Sequence, residues 1–126
     1  MWKAVASTVA VASIAMGVNL AASKPAQAQD LALNLCTYVQ GDDRMRMRQR
    51  IREERIRLRQ VYEGVRCNDL SLIQFALANG SMDIGTFMVS QLPASTLSRT
   101  GDLAWAEANG HGDSEVAQAI RERTED

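Results

Sequence analysis

The sequence predicts an all-α domain of about three helix-turn-helix units, closed by one disulfide. Three observations carry that prediction. A block of residues recurs at a spacing of 30, helix start and stop signals frame each copy, and two cysteines follow a leading stretch that reads as an export signal.

The opening, MWKAVASTVAVASIAMGVNLAASKPAQAQD, places Lys3 before an apolar stretch of Ala, Val, Ile and Met, then Pro25 and the small-residue site Ala26-Gln27-Ala28. That order is the pattern of a secretory signal peptide over residues 1–28, with cleavage after Ala28. A membrane anchor is the rival reading. The Ser, Thr, Gly and Asn19 within the stretch make its transfer into hydrocarbon only weakly favourable. No cysteine lies near the cleavage site, which argues against a lipid-anchored lipoprotein. Residues 29–126 are then a single domain with one modest core. The mature product is expected in a periplasm or outside the cell.

Cleavage removes both lysines and leaves 12 arginines against 15 acids, a formal charge of −3. A domain that is not globally basic gains little from counterion release, so nucleic acid is not an expected partner. Cys36 and Cys67 are expected to pair, because a small exported domain is where two thiols oxidise. A nucleophilic thiol needs a base and a zinc site needs further ligands. The single histidine, His111, stands far along the chain.

In the first unit, residues 31–66, Ala32, Leu35, Cys36 and Val39 fall at i, i+3, i+4 and i+7 and make a short apolar helix face. Asp42 or Asp43 is expected to cap a long second helix containing RMRMRQRIREERIRLRQ, Arg44 to Gln60. The alternation Arg-Met-Arg-Met would also suit a strand. It loses phase at Glu53-Glu54, and the residue types are good helix formers, so helix is the expectation. On such a helix Met47, Ile51, Leu58, Val61 and Val65 form one apolar stripe.

The arginines of that helix divide into two flanks. Arg46, Arg50 and Arg57 each have an acid three or four residues away, among Asp42, Asp43, Glu53 and Glu54, and read as a paired, solvated face. Arg44, Arg48, Arg52, Arg55 and Arg59 form the other flank, with only Glu63 near its end. Such a row repels itself and calls for an anionic neighbour. Either acids of the same chain supply it, Glu122, Glu125 and Asp126 being candidates, or the five arginines are a docking surface for an acidic protein or an envelope phosphate. The arginine stems also suit packing along the edge of the stripe.

The repeat fills the second half. Ala76, Ala78, Asn79, Gly80 and Asp83 recur as Ala106, Ala108, Asn109, Gly110 and Asp113, while Ile73 and Phe75 meet Leu103 and Trp105. Ser71 with Gln74 makes a capping-box start, and Asn-Gly ends the short helix because both residues tolerate the left-handed conformation. Asp83 and Asp113 are expected in the first turn of a following helix, where a negative charge meets the positive end of the dipole. Ile84, Phe87, Met88 and Leu92 continue the first copy at helical spacing until Pro93; Val116 and Ile120 continue the second. Phe75 and Trp105 are expected in the core, and His111 in a turn role bonded to backbone.

S-L-I-Q-F-A-L-A-N-G-S-M-D-I resembles the ankyrin repeat pattern T-P-L-H-x-A-x-x-N-G-H-x-D-I, and A-x-A-N-G-H-G-D resembles its middle. Leu72 stands for the proline, Gln74 for the histidine, and the spacing is 30, where that family has 33. The resemblance implies a short ankyrin-like solenoid of about three units. Leu35 to Gln40, the Y-E-G-V-R-C-N run from Tyr62 to Asn68, and S-L-I-Q-F-A also resemble a family of small exported bacterial proteins known only as a domain of unknown function.

No catalytic constellation can be assembled. Glu53 and Glu54 point about 100 degrees apart on a helix, no serine has a histidine with an orienting acid, and no glycine-rich phosphate loop or metal-ligand cluster is present. No enzyme activity, cofactor or metal is expected. The expected role is a protein-protein interaction module of the cell envelope, with binding of anionic envelope lipid or lipopolysaccharide phosphates through the arginine row as the alternative.

Overall fold

The computed structural model describes residues 28–125, so the expected signal peptide lies outside the described residues but for Ala28. Among these residues the chain is all-helical, with eight α-helices, one 3-10 turn and no strand. The helices are α1 (28–40), α2 (Arg44–Glu54), α3 (Leu58–Val61), α4 (Leu72–Asn79), α5 (Met82–Gln91), α6 (Ala94–Thr100), α7 (Asp102–Ala108) and α8 (Glu115–Thr124), and the 3-10 turn Tyr62–Gly64 follows α3.

The apolar spacing of α1 does what it promised: Leu35 and Val39 are fully buried. Two aspartates then divide the work of the turn. Asp43 caps α2 by accepting the N–H of Arg46, while Asp42, at φ 54°, accepts the N–H of Ile84 on α5 at 2.8 Å. One residue closes a helix and its neighbour ties that turn to a helix 42 residues on.

The long second helix does not exist. α2 stops at Glu54, where Arg55 turns left-handed at φ 56°, its N–H reaching Arg52 O and the N–H of Ile56 reaching Ile51 O. This is the double hydrogen-bond pattern of a Schellman cap, with Ile56 folded back towards Ile51 and an arginine where glycine is usual. The break redirects the chain so that Leu58, Tyr62 and Val65 enter the core, as a straight helix could not carry them there. The predicted stripe is therefore split between α2 and α3. An L-residue with a bulky side chain is strained in this region by about 1 kcal/mol. Arg55→Gly is accordingly expected to stabilise the fold by about 0.5 kcal/mol, after allowing for the greater freedom of glycine in the unfolded chain. Urea unfolding checks it: a destabilised variant would mean that the Arg55 side chain makes a contribution of its own.

After the 3-10 turn, Cys67 and Leu70 exchange backbone hydrogen bonds across Asn68 and Asp69, both at positive φ, a conformation these short polar side chains tolerate. Cys67 is bonded to Cys36 of α1 with Cα atoms 5.7 Å apart, which fastens the first helix to the entrance of α4.

Ser71 and Gln74 form the expected capping box at α4. At the ends of α4 and α7 the two copies of the repeat share the same closing bonds, although α7 starts from Gly101 with no side-chain cap. Asn79 Nδ2 donates to Phe75 O and Asn109 Nδ2 to Trp105 O, each at 2.8 Å. Gly80 and Gly110 are left-handed, and the next N–H returns to Ala76 O or Ala106 O, again at 2.8 Å. Ala76 and Ala106 are fully buried. α4 packs on α5 and α7, and α8 packs on α5 and α7, so first helix meets first helix and second meets second. Gly85 marks the closest approach: a Cβ there would stand 2.6 Å from Val116 Cγ2 on α8.

The copies part company in two places. Asp83 lies in the first turn of α5, but Asp113 precedes α8, whose cap is Ser114, accepting the N–H of Ala117. Residues 112–114 lengthen that turn and displace the aspartate from the dipole. An unforeseen helix, α6, links the pairs and packs on α7 and α8 through buried Thr96 and Leu97.

Tyr62, Ser71 and Asp102 form a buried polar centre where the 3-10 turn, α4 and α7 converge. Asp102 is wholly shielded from solvent. Its Oδ1 accepts from Ser71 Oγ at 2.9 Å and Gln74 Nε2 at 3.1 Å, and its Oδ2 from the Tyr62 hydroxyl and from Thr100 Oγ1 at 3.1 Å. Four donors thus occupy the acceptor capacity of one carboxylate. Burial, reinforced by the adjacent Asp102 charge, pushes the Tyr62 phenol well above its ordinary value, so it remains a donor.

Candidate functional site

The break at Arg55 decides where the arginines go. On α2, Arg48 and Arg52 follow one another at i and i+4, with Ile51 beside them. Arg44, at the start of the same row, is diverted: its guanidinium lies 3.6 Å from Asp83 on α5, and its Nε is buried without a hydrogen-bond partner among the described residues. Past the break, Arg57 stands at the N-terminus of α3, its backbone N–H held by Gln60 Oε1 at 2.7 Å, and Arg59 lies within α3.

From the other side α5 contributes Phe87 and Gln91, and α8 contributes Arg123. Arg123 Nε donates to the carbonyl of Leu92 at 2.8 Å. That carbonyl belongs to the residue capping the C-terminus of α5, where a cation is favoured by the helix dipole. Satisfying an orphan helix carbonyl therefore also fixes where this guanidinium sits.

These side chains bound two adjoining hollows of about 230 and 380 Å³, which share Ile51, Ile56 and Gln91. The floor is apolar, with half-buried Ile51, Ile56 and Phe87 and buried Leu58. The rim is Arg48, Arg52, Arg57, Arg59 and Arg123, all exposed. No acid among the described residues lines either hollow. Among the described residues no ion pair engages these five arginines; neither Glu122 nor Glu125 reaches them, and Asp126 lies outside the described residues.

Another polar cavity, of about 250 Å³ beside Tyr62 and Gln74, differs in kind. Its Glu63 is bonded to Arg99 at 2.6 Å, and that bond holds the Glu63 carboxyl below the usual carboxylate range. Its charge is largely answered within the chain.

The predicted row of Arg44, Arg48, Arg52, Arg55 and Arg59 is thus not one flank of one helix. Arg48, Arg52 and Arg59 meet at the groove, Arg44 pairs with Asp83, and Arg55 is spent on the turn. On the opposite flank, Arg46 and Arg50 do pair, with Asp43 at 3.4 Å and Glu54 at 3.0 Å. Arg57, assigned by spacing to that flank, joins the groove. Arg123 was missed, although it had a signal: it stands three residues after Ile120 and seven after Val116, on the stripe that α8 turns inward.

A second surface lies on the first helices. Phe75 and Trp105 occupy equivalent positions of the two copies and are half-buried, so the expectation that both are core residues is met only in part. Ala76 and Ala106 take the fully buried positions, and the residue before each, Phe75 or Trp105, lies at the edge of the core. Trp105 instead covers the His111 ring, with centroids 5.8 Å apart, while the His111 backbone takes up the expected turn bond to Ala106. Leu33, 66% exposed, lines a shallow hollow together with Phe75.

A small, all-helical, disulfide-bonded domain with an arginine-rimmed groove is the class of protein these features define. The chain belongs to the family described as Protein of unknown function (DUF3718), whose model matches residues 35–99. That span takes in both cysteines, the arginine run and the first copy of the repeat. No curated protein and no solved structure matches the chain.

Proposed function

We propose that this is an exported, non-catalytic protein whose helix pairs form a short ankyrin-like stack and which serves as a protein-protein interaction module of the cell envelope. The observation that carries the reading is the apolar side chains on the first helices that the core does not fully take in: Leu33 on α1 is exposed, and Phe75 on α4 and Trp105 on α7 are half-buried. Partly exposed apolar side chains on successive stacked units suit an extended partner surface. The experiment is site-specific photo-crosslinking in intact cells from position 75 or 105, compared with a position on α6. A defined partner captured from the first two and lost in Phe75→Glu with Trp105→Glu is the expected result. A pattern no different from that of the α6 probe would refute the reading.

A second reading is favoured by the groove. Five guanidiniums with no carboxylate beside them among the described residues suit the phosphates of anionic envelope lipid or lipopolysaccharide, which Arg forks bind well. Binding that weakens with salt and with charge reversal of Arg48, Arg52 and Arg59 is its mark.

A further inference from the structure

We infer that the groove takes a single phosphate-headed amphiphile, with the headgroup among the guanidiniums and an alkyl chain along the apolar floor. This rests on the second reading above and narrows it from an anionic surface to one molecule in one site. Three observations lead there.

The first is charge. Arg48, Arg52, Arg57, Arg59 and Arg123 come from three helices and the turn between two of them, and they meet around one pair of hollows with no lining acid among the described residues. A dianionic phosphate answers such a cluster better than a single carboxylate does, and its oxygens accept from several guanidinium forks at once. The second is shape. The larger hollow, about 380 Å³, falls in the size range of small-molecule sites, whereas a flat lipid surface would touch only the rim.

The third is the floor. Ile51, Ile56 and Phe87 present apolar surface directly between the arginines. An extended acidic peptide in this place would need acceptors for its backbone N–H groups, which guanidiniums do not supply. The lining offers it one neutral polar side chain, Gln91, and the nearby Leu92 carbonyl is already taken by Arg123. An alkyl chain needs no such partners.

The test is calorimetric titration of the oxidised, signal-cleaved protein with hexyl, octyl and decyl phosphate below their micelle concentrations. Inorganic phosphate, phosphatidylglycerol vesicles and a glutamate-rich peptide are the comparison arms. The expected result is one site per chain, with affinity rising roughly twofold or more per added methylene. Arg52→Glu with Arg59→Glu should weaken decyl phosphate at least tenfold. Phe87→Ser and, separately, Ile56→Ser should flatten the chain-length dependence while retaining the phosphate response, their folding verified by circular dichroism. Equal binding of all chain lengths and inorganic phosphate would overturn the inference and leave an anion site. Vesicle binding without binding of the soluble phosphates, or tighter binding of the peptide, would overturn it in favour of a surface or a protein ligand. Binding to none of these would remove the second reading as well.

Discussion

Asp102→Ala lowers the unfolding free energy by about 4 kcal/mol. The estimate follows from what the mutation strands. Tyr62, Ser71, Gln74 and Thr100 all donate to this carboxylate, and they do so at the junction of three elements. Removing the acceptor leaves Ser71 and Gln74 without this partner, throws Tyr62 and Thr100 back on Ser71 Oγ and the Leu97 carbonyl, and opens a polar void, each lost bond costing on the order of 1 kcal/mol even if water enters. Asp102→Asn is milder, about 2 kcal/mol, because the hydroxyls of Tyr62, Ser71 and Thr100 can rotate to accept from the new amide. Urea unfolding of the three proteins provides the measurement. A loss below about 1 kcal/mol for Asp102→Ala would show that the network is not what fastens α7 to α4.

Replacing both Cys36 and Cys67 by alanine costs about 3 to 4 kcal/mol, the entropy of a closed loop spanning 31 residues. Much of that loss should fall on one end of the molecule. α1 is held by the bridge and by the burial of Leu35 and Val39, whereas α4, α5, α7 and α8 support one another. Hydrogen exchange of the double variant should therefore speed up at the α1 amides of Leu35 and Val39 well before those of Met88 and Ile120. Uniform loss of protection across both regions would show a single cooperative unit, and an unchanged unfolding midpoint would show that the bridge constrains little.

These two centres also show how much could be read without coordinates. The start and end of α4, the stop of α5 at Pro93 and the pairing of the cysteines were legible because each depends on a local residue type with one strong conformational preference. The end of α2 was not. Arg55 is a poor left-handed residue, and only the need to bring Leu58 and Tyr62 inward places it there, a tertiary demand that no local pattern records. α6 escaped notice for the opposite reason: in Ala-Ser-Thr-Leu-Ser-Arg-Thr a single large apolar residue, Leu97, gives no period to detect.

The Asp102 centre was invisible for a third reason. Its members are up to 40 residues apart and belong to no spacing rule. The groove was half legible. Its arginine content was plain, but membership depended on the α2 break and on Arg123, which reaches the site through a helix carbonyl.

That break has an electrical consequence. Strung along one uninterrupted rod, the cationic heads would spread their field outward over some 20 Å, weak at any one point. Folded back at the left-handed residue, and joined by a cation from the far end of the chain, they surround a common centre, and low-dielectric walls concentrate their potential inside it.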